Sequence, residues 1–260
     1  MSLEVVHLGE PSDRPPLLFV HGSFAGAWIW RQHFMPYFVE AGWECLALSL
    51  RGHGGSPGRD RLDHFGLGHY VEDVAAVART LARPPVVIGH SLGGVVAQRF
   101  CTGHPAAGQV LVASVPPGGF ASSAWWMALH HPLFAWQIGV LETLGKNHVD
   151  AEALARGLFS PDFPRESARH YLPLLQRESA RAIAEVMLPQ RVWRPRPDFP
   201  TLVIGGDSDA FIPQAALHAT AAHWQARLVV QPGVPHGMML DPCWRRTAEA
   251  INDWLGVTLV

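Results

Sequence analysis

The sequence predicts an α/β fold: a mostly parallel central sheet flanked by helices, with one long helical interruption. Three observations lead there. Apolar runs at residues 17–20, 44–50, 86–88, 109–114, 201–206 and 227–230 read as strands. The more continuous of them lack the polar alternation of a half-solvated sheet, as expected of strands covered on both faces. Helical patterns alternate with these runs, which implies parallel crossovers. From about Pro116 to Pro197 that rhythm stops, and no strand-like run occurs.

Taken in order, residues 3–8 are an expected edge strand and 11–16 a turn. The run 17–20 exits into His21-Gly22-Ser23-Phe24-Ala25-Gly26-Ala27-Trp28, whose small residues suit a loop that approaches a ligand closely. Residues 30–41 are expected to form one amphipathic helix, softly broken at Pro36. The strand at 44–50 runs into Arg51-Gly52-His53-Gly54-Gly55-Ser56-Pro57, too rich in glycine for regular structure. A helix over about 69–81 leads to the strand at 86–88, and helical spacing (Val95, Val96, Phe100) follows it. Beyond 109–114, Pro116-Pro117-Gly118-Gly119 opens the helical segment, with helices expected near 151–158, 165–176 and 179–188. Trp125, Trp126, Phe134 and Trp136 are among its aromatics. Strands at 201–206 and 227–230 and a final helix (Ala248, Ile251, Trp254, Leu255) complete the chain. The expected organisation is a core over 1–116 and 198–260, with 117–197 inserted as a helical cap.

Composition excludes several classes. At 260 residues, 48% hydrophobic and 16% charged, the chain can bury a substantial core and is not disordered. A net charge of −2 with both signs interspersed gives no footing for nucleic-acid binding. Three dispersed cysteines suggest neither a disulfide framework nor a zinc site. The fifteen histidines form no H-E-x-x-H and no close His/Asp cluster, so no metal is expected. With no basic n-region, no apolar h-region and no run of membrane-spanning length, a cytoplasmic protein without a membrane span is the default expectation.

The chemistry centres on residues 86–97. Gly89-His90-Ser91-Leu92-Gly93 fits G-x-S-x-G between an apolar strand and a helical run. A serine nucleophile must project from a sharp strand-to-helix turn, and small neighbours let the backbones close around it. The following helix aims free N–H groups at charge developing near Ser91. A serine hydroxyl needs a base, and the base needs an orienting acid. Asp207 and Asp209 follow the strand ending at Gly206, and His236 follows the strand ending at Val230. Each lies just beyond the carboxyl end of an expected parallel strand, where ligands bind in open α/β sheets.

Together these segments resemble the α/β-hydrolase superfamily: the strand before His21-Gly22, Arg51-Gly52-His53-Gly54-Gly55-Ser56, Gly89 to Gly94, Asp209 with Pro213, and Pro235-His236-Gly237. The stretch from His21 to Trp30 is similar to the branch of plant methylesterases and cyanohydrin (hydroxynitrile) lyases. The resemblance implies an α/β-hydrolase fold and a capped serine esterase without a cofactor. It implies Ser91 as nucleophile, His236 as general base and acid, and Asp209 as orienting carboxylate, with Asp207 the rival. The backbone N–H groups of Ser23 and Leu92 would form the oxyanion hole. His90, Phe24, Trp125 and Trp126 are candidate substrate contacts, with core packing the alternative, and His21 is expected to brace its loop. Ser49 departs from the pattern, since many relatives carry aspartate there.

The expected function is hydrolysis of a neutral, mainly apolar small-molecule ester through an acyl-enzyme, with homodimer formation left open. Alternatives are a carbon–carbon hydrolase or lyase on the same triad, or a small-molecule receptor. The lyase is disfavoured because Gly237 stands where cyanohydrin lyases carry lysine.

Overall fold

The computed structural model describes residues 2–196 and 198–259; the expected boundary at residue 197 lies outside them. The strands are β1 (Val5–Leu8), β2 (Leu17–Val20), β3 (Cys45–Leu48), β4 (Val86–His90), β5 (Gly108–Val112), β6 (Thr201–Gly206) and β7 (Arg227–Gln231). The helices are α1 (Trp28–Arg31), α2 (Phe34–Glu40), α3 (Leu67–Ala78), α4 (Leu92–Gly103), α5 (Ala121–His130), α6 (Pro132–Thr143), α7 (Ala151–Leu158), α8 (Arg165–Tyr171), α9 (Ala180–Met187), α10 (Gln214–Trp224) and α11 (Trp244–Leu259). Among the described residues the strands form one sheet in the order β1-β3-β2-β4-β5-β6-β7. Only the β1–β3 pairing is antiparallel.

Burial follows position in the sheet. Every residue of β2, β4, β5 and β6 is buried, whereas β1 and much of β7, at the two edges, are exposed or half-buried. Central parallel strands must be apolar on both faces because helices cover both. Here α4 rests on β4 and β5 with α3 against it, and α11 packs on α2. The register then sets the functional edge. Val20 pairs with Leu48 and Gly89, Gly89 with Leu111, and Ile204 with Val112 and Val229. The loops after β2, β3, β4, β6 and β7 therefore all leave from one end of the sheet.

Two helical expectations change. The break in residues 30–41 falls at Gln32–His33, and Pro36 sits in the first turn of α2, where its missing N–H was an orphan donor in any case. The helix expected over 165–176 stops at Tyr171, and Pro173 lies in a single 3-10 turn. A proline has no amide to continue the i→i−4 ladder. Residues 175–179 then run over the core, where Gln176 donates its N–H to Phe24 O (2.9 Å) and accepts from Gly54 N (2.8 Å). Helices α5, α6 and α10 carry no clear apolar stripe: α6 is apolar on most sides and α10 is alanine-rich, so periodicity does not announce them. Among the described residues no helix is long and apolar enough to cross a membrane.

One contact governs how closely α4 meets the sheet. A Cβ on Gly93 would lie 2.3 Å from His21 O and 2.5 Å from Val20 O, and one on Gly89 would lie 2.3 Å from Gly93 O. Gly93→Ala is expected to push α4 off the end of β2 and lower stability by about 1–3 kcal/mol or more. Urea denaturation measures this, and an unchanged midpoint would show that the approach is not tight.

Candidate active site

Ser91 stands alone between β4 and α4 with φ 53° and ψ −118°, a region that L-residues avoid and that costs on the order of 1–3 kcal/mol. Both sides of the turn hold it there. Ser91 donates its N–H to Val112 O (3.0 Å), and Ser91 O accepts from Gly94 N (3.0 Å) and Val115 N (3.2 Å). The β5 exit loop thus clamps the turn, and the side chain is pushed out into a cavity.

The loops after β6 and β7 bring Asp209 and His236 together. Asp209 Oδ2 lies 2.8 Å from His236 Nδ1, with both side chains almost fully buried. A carboxylate can only accept, so Nδ1 carries the proton and Nε2 the lone pair. Asp209 Oδ1 accepts from Phe211 N (2.7 Å) and Ile212 N (2.9 Å), which locks its orientation. Asp207 is exposed and faces elsewhere, accepting from Gly233 N (2.7 Å) and the Ser208 hydroxyl (3.0 Å). Ser91 and His236 line the same cavity. Among the described residues no hydrogen bond yet joins the Ser91 hydroxyl to the His236 ring; such contacts often tighten only with substrate.

Ser23 and Leu92 line the cavity beside Ser91, and among the described residues neither backbone N–H donates to another group. Leu92 opens α4, so its amide is one of the orphan donors of the first turn. The Ser23 loop is braced from below. His21 Nε2 accepts from Leu50 N (3.0 Å), which puts the proton on Nδ1 for Gly22 O (2.8 Å). Burial, then the charge of neighbouring His53, pushes His21 down to about 3. At Ser49 a carboxylate still serves the loop, delivered from Glu4. The Ser49 hydroxyl accepts from Ala27 N (2.9 Å) and donates to Glu4 Oε2 (2.5 Å), which also accepts from Gly55 N (2.8 Å).

His90 both lines the cavity and supports the site. Its Nε2–H reaches His236 O (3.1 Å), and the two rings lie 4.5 Å apart. Burial, and next His236, hold its pKa well below the ordinary imidazole value. Farther below, buried Glu178 accepts from Tyr70 Oη (2.6 Å) and Ser179 N (2.8 Å) and sits at ion-pair distance, 3.4 Å, from His53 Nε2. Burial is the largest influence and opposes charge on both partners, but the facing charge and the hydrogen bonds around the pair together outweigh it, raising His53 and lowering Glu178.

The cavity is about 370 Å³ and mostly apolar. Phe24 lines it, together with Trp28, Phe120, Phe159, Tyr171 and Phe211. Trp125 and Trp126, expected as substrate contacts, are not among its lining residues. Trp125 is 70% exposed, and Trp126 packs on the rings of His130 and His131. On α5 it is Ala124 and Met127 that face the cavity, because a helix rotates about 100° per residue and neighbouring positions face different ways. Sequence reasoning also missed Phe211, whose ring lies 4.6 Å from His236 and 4.9 Å from Phe134. Its place two residues after Asp209 is the available signal. The sequence marks Trp28, which stacks on Tyr171 at 5.7 Å, only as part of the loop motif after β2.

Comparison with known proteins agrees with this architecture. A profile described as "Alpha/beta hydrolase family" matches residues 17–250. The chain is 29% identical to a non-heme haloperoxidase of Rhodococcus erythropolis, over 86% of each chain. It is 26% identical to a monoacylglycerol lipase of Mycolicibacterium smegmatis, covering 95% of this chain and 89% of that one. The esterase EaEST from Exiguobacterium antarcticum superposes with a TM-score of 0.75 at 16% identity, over 98% of this chain and 95% of that one.

The buried histidine beneath the site makes stability depend on pH. His21 is held near 3 in the folded chain, against about 6.5 when unfolded. Between those values the unfolded chain binds a proton that the native one does not, so stability falls as pH drops through the window, by up to about 1.4 kcal/mol per pH unit. His21→Asn is expected to be less stable at pH 7 yet to lose less between pH 6.5 and 5. Denaturant midpoints across that range decide it; equal slopes in both proteins would show that His21 is not the group responsible.

Proposed function

Since the chain belongs to the alpha/beta hydrolase family, we propose that it is a serine hydrolase cleaving a neutral, mainly apolar carboxylic ester through an acyl-enzyme. The observation that carries this reading is the buried Asp209–His236 contact of 2.8 Å opening on the same cavity as the strained Ser91 turn. With Nδ1–H given to Asp209, His236 Nε2 is free to take the Ser91 proton as Oγ adds to the ester carbonyl. The carbonyl oxygen becomes an oxyanion, for which the Ser23 and Leu92 N–H groups are available donors. His236 returns its proton to the leaving alkoxide, releasing the alcohol and leaving the acyl group on Ser91. Water, deprotonated by the same imidazole, repeats the addition and frees the acid.

In this reading the α5–α9 segment is a cap over the acyl or alkoxy group. It is tied to the catalytic loop directly: Gly237 donates its N–H to Leu158 O (2.7 Å), and Ser160 gives its N–H to Asp241 Oδ2 (2.8 Å). The first tie also bears on the lyase alternative. A Cβ on Gly237 would lie 2.5 Å from the Phe159 ring and 2.9 Å from Leu158 O, so a lysine after His236 would have to displace the end of α7.

Ser91→Ala is expected to cost at least about 10³-fold in kcat on p-nitrophenyl esters with the fold intact, and a fluorophosphonate probe should label the wild type alone. Asp209→Asn should cost about 10⁴-fold in kcat, and Asp207→Asn little. Labelling of the Ser91→Ala protein, or the larger loss at Asp207, would overturn the assignment. Acyl-chain preference should rise by about 0.8 kcal/mol per methylene until the cavity fills and then fall. Ile138→Phe, which narrows the cavity, should move that optimum to shorter chains, and Trp125→Ala should leave it in place. The reverse pattern in kcat/KM would put the acyl pocket elsewhere.

A further inference from the structure

Helices α5 and α6 form a hairpin joined by His131 alone, and its two sides meet different surroundings. Ala124, Met127, Ala135 and Ile138 turn inward and line the cavity. On the outer side Trp125 is 70% exposed, Leu129 61%, Leu133 56% and Trp136 69%. Trp125 and Leu129 are four residues apart on α5, and Leu133 and Trp136 three apart on α6, so each helix presents one tryptophan and one leucine together. Apolar side chains scattered singly are ordinary on a surface. Four large ones on two helices packed against each other are not. Glutamine or lysine would serve the helices as well at these positions.

Charge decides what fits this face. Residues 120–141 contain no Asp, Glu, Lys or Arg, although 16% of the chain is charged. A protein partner or a second copy is held in register by a charged and hydrogen-bonding rim, and the polar side chains of this stretch are only serine, histidine and glutamine. An anionic bilayer is recognised by a cluster of lysine and arginine, which this stretch lacks. We propose that the outer side of α5 and α6 docks on the surface of a lipid phase without net charge, placing Trp125, Leu129, Leu133 and Trp136 in the boundary between headgroups and acyl chains. Tryptophan suits that depth because its ring is apolar and its N–H polar. The protein lies on such a surface; among the described residues no helix is long and apolar enough to cross it. In this pose the cavity lies behind one layer of helix, about 10–12 Å thick. That the ester then comes from the lipid phase rests on the reading of Ser91 as the nucleophile of an ester hydrolase; the docking itself does not.

The test is flotation of the full chain with phosphatidylcholine vesicles at pH 8, where an ordinary imidazole is neutral. Wild type is compared with Trp125→Ser/Trp136→Ser and with Leu129→Gln/Leu133→Gln. The wild type is expected to float at low and high salt alike, because the attraction is not between charges. Each double variant should lower the partition by about tenfold or more. Hydrolysis of p-nitrophenyl acetate in free solution should stay unchanged in both, since none of the four side chains lines the cavity. Urea midpoints report the fold, and should one pair unfold the chain, the other carries the comparison. Wild type that hydrolyses the ester but does not float would overturn the docking and spare the esterase. Wild type that floats but hydrolyses nothing would sink the esterase reading and spare the docking. Flotation only with vesicles containing phosphatidylserine, lost at high salt, would overturn the neutral surface, and equal flotation of all three proteins would overturn the assignment to this face. A wild-type dimer in sedimentation velocity, dispersed by the same substitutions and accompanied by no flotation, would overturn it in favour of a second copy.

Discussion

Everything at the functional edge depends on how closely α4 can approach the ends of β2 and β4. Gly93 lies so near the carbonyl oxygens of Val20 and His21 that no side chain fits between them. That approach lets a single residue, Ser91, turn the chain from strand to helix at φ 53°. The strain is local and its support is distributed. Val112, Gly94 and Val115 each hold one backbone group of the turn, so relaxing Ser91 would require breaking bonds to β5 as well. An L-residue persists in such a conformation only when its surroundings over-determine it.

The imidazoles around this turn are sorted by what they face. His21 and His90 are buried among groups that reward the neutral ring, and burial lowers both. His53, one layer farther from the cavity, faces the Glu178 carboxylate and is raised. His236 has a carboxylate on one nitrogen and the cavity beside its ring. Four histidines within one edge of the sheet thus divide into two neutral braces, one ion-pair partner and one ring held by a carboxylate at the cavity wall. Residue type does not make that division; the local acceptor or donor does.

Glu178 and Gln176 also explain how the helical segment α5–α9 is held to the sheet. The path 175–179 lies over the His21 and Arg51 loops, bonding Phe24 O and Gly54 N and burying Glu178 against His53 and Tyr70. Breaking one partner of such a pair leaves an uncompensated buried charge, so this stretch and the loop that carries Ser23 share one position.

Much of this architecture is legible in the amino-acid sequence. The strand at 201–206 and the helix at 151–158 coincide with β6 and α7 because continuous apolar runs and a well-capped amphipathic helix are local signals. The order Ser91, Asp209, His236 is legible because each follows a strand. Other features require the tertiary structure. In the sequence only the spacing to Pro213 separates Asp209 from Asp207, two residues away on the same exit loop; in the structure the β6–β7 register brings Asp209 to His236 and Asp207 to the turn at Gly233. Trp125 and Trp126 resemble pocket residues by composition, yet the docking of α5 sends Ala124 and Met127 inward instead. Glu4 reaches Ser49 across 45 residues, and Glu178 reaches His53 across a far longer gap. Periodicity reports which face of an element is apolar, but which partner that face or a buried charge will meet is set by contacts distant in the chain, and only folding brings those together.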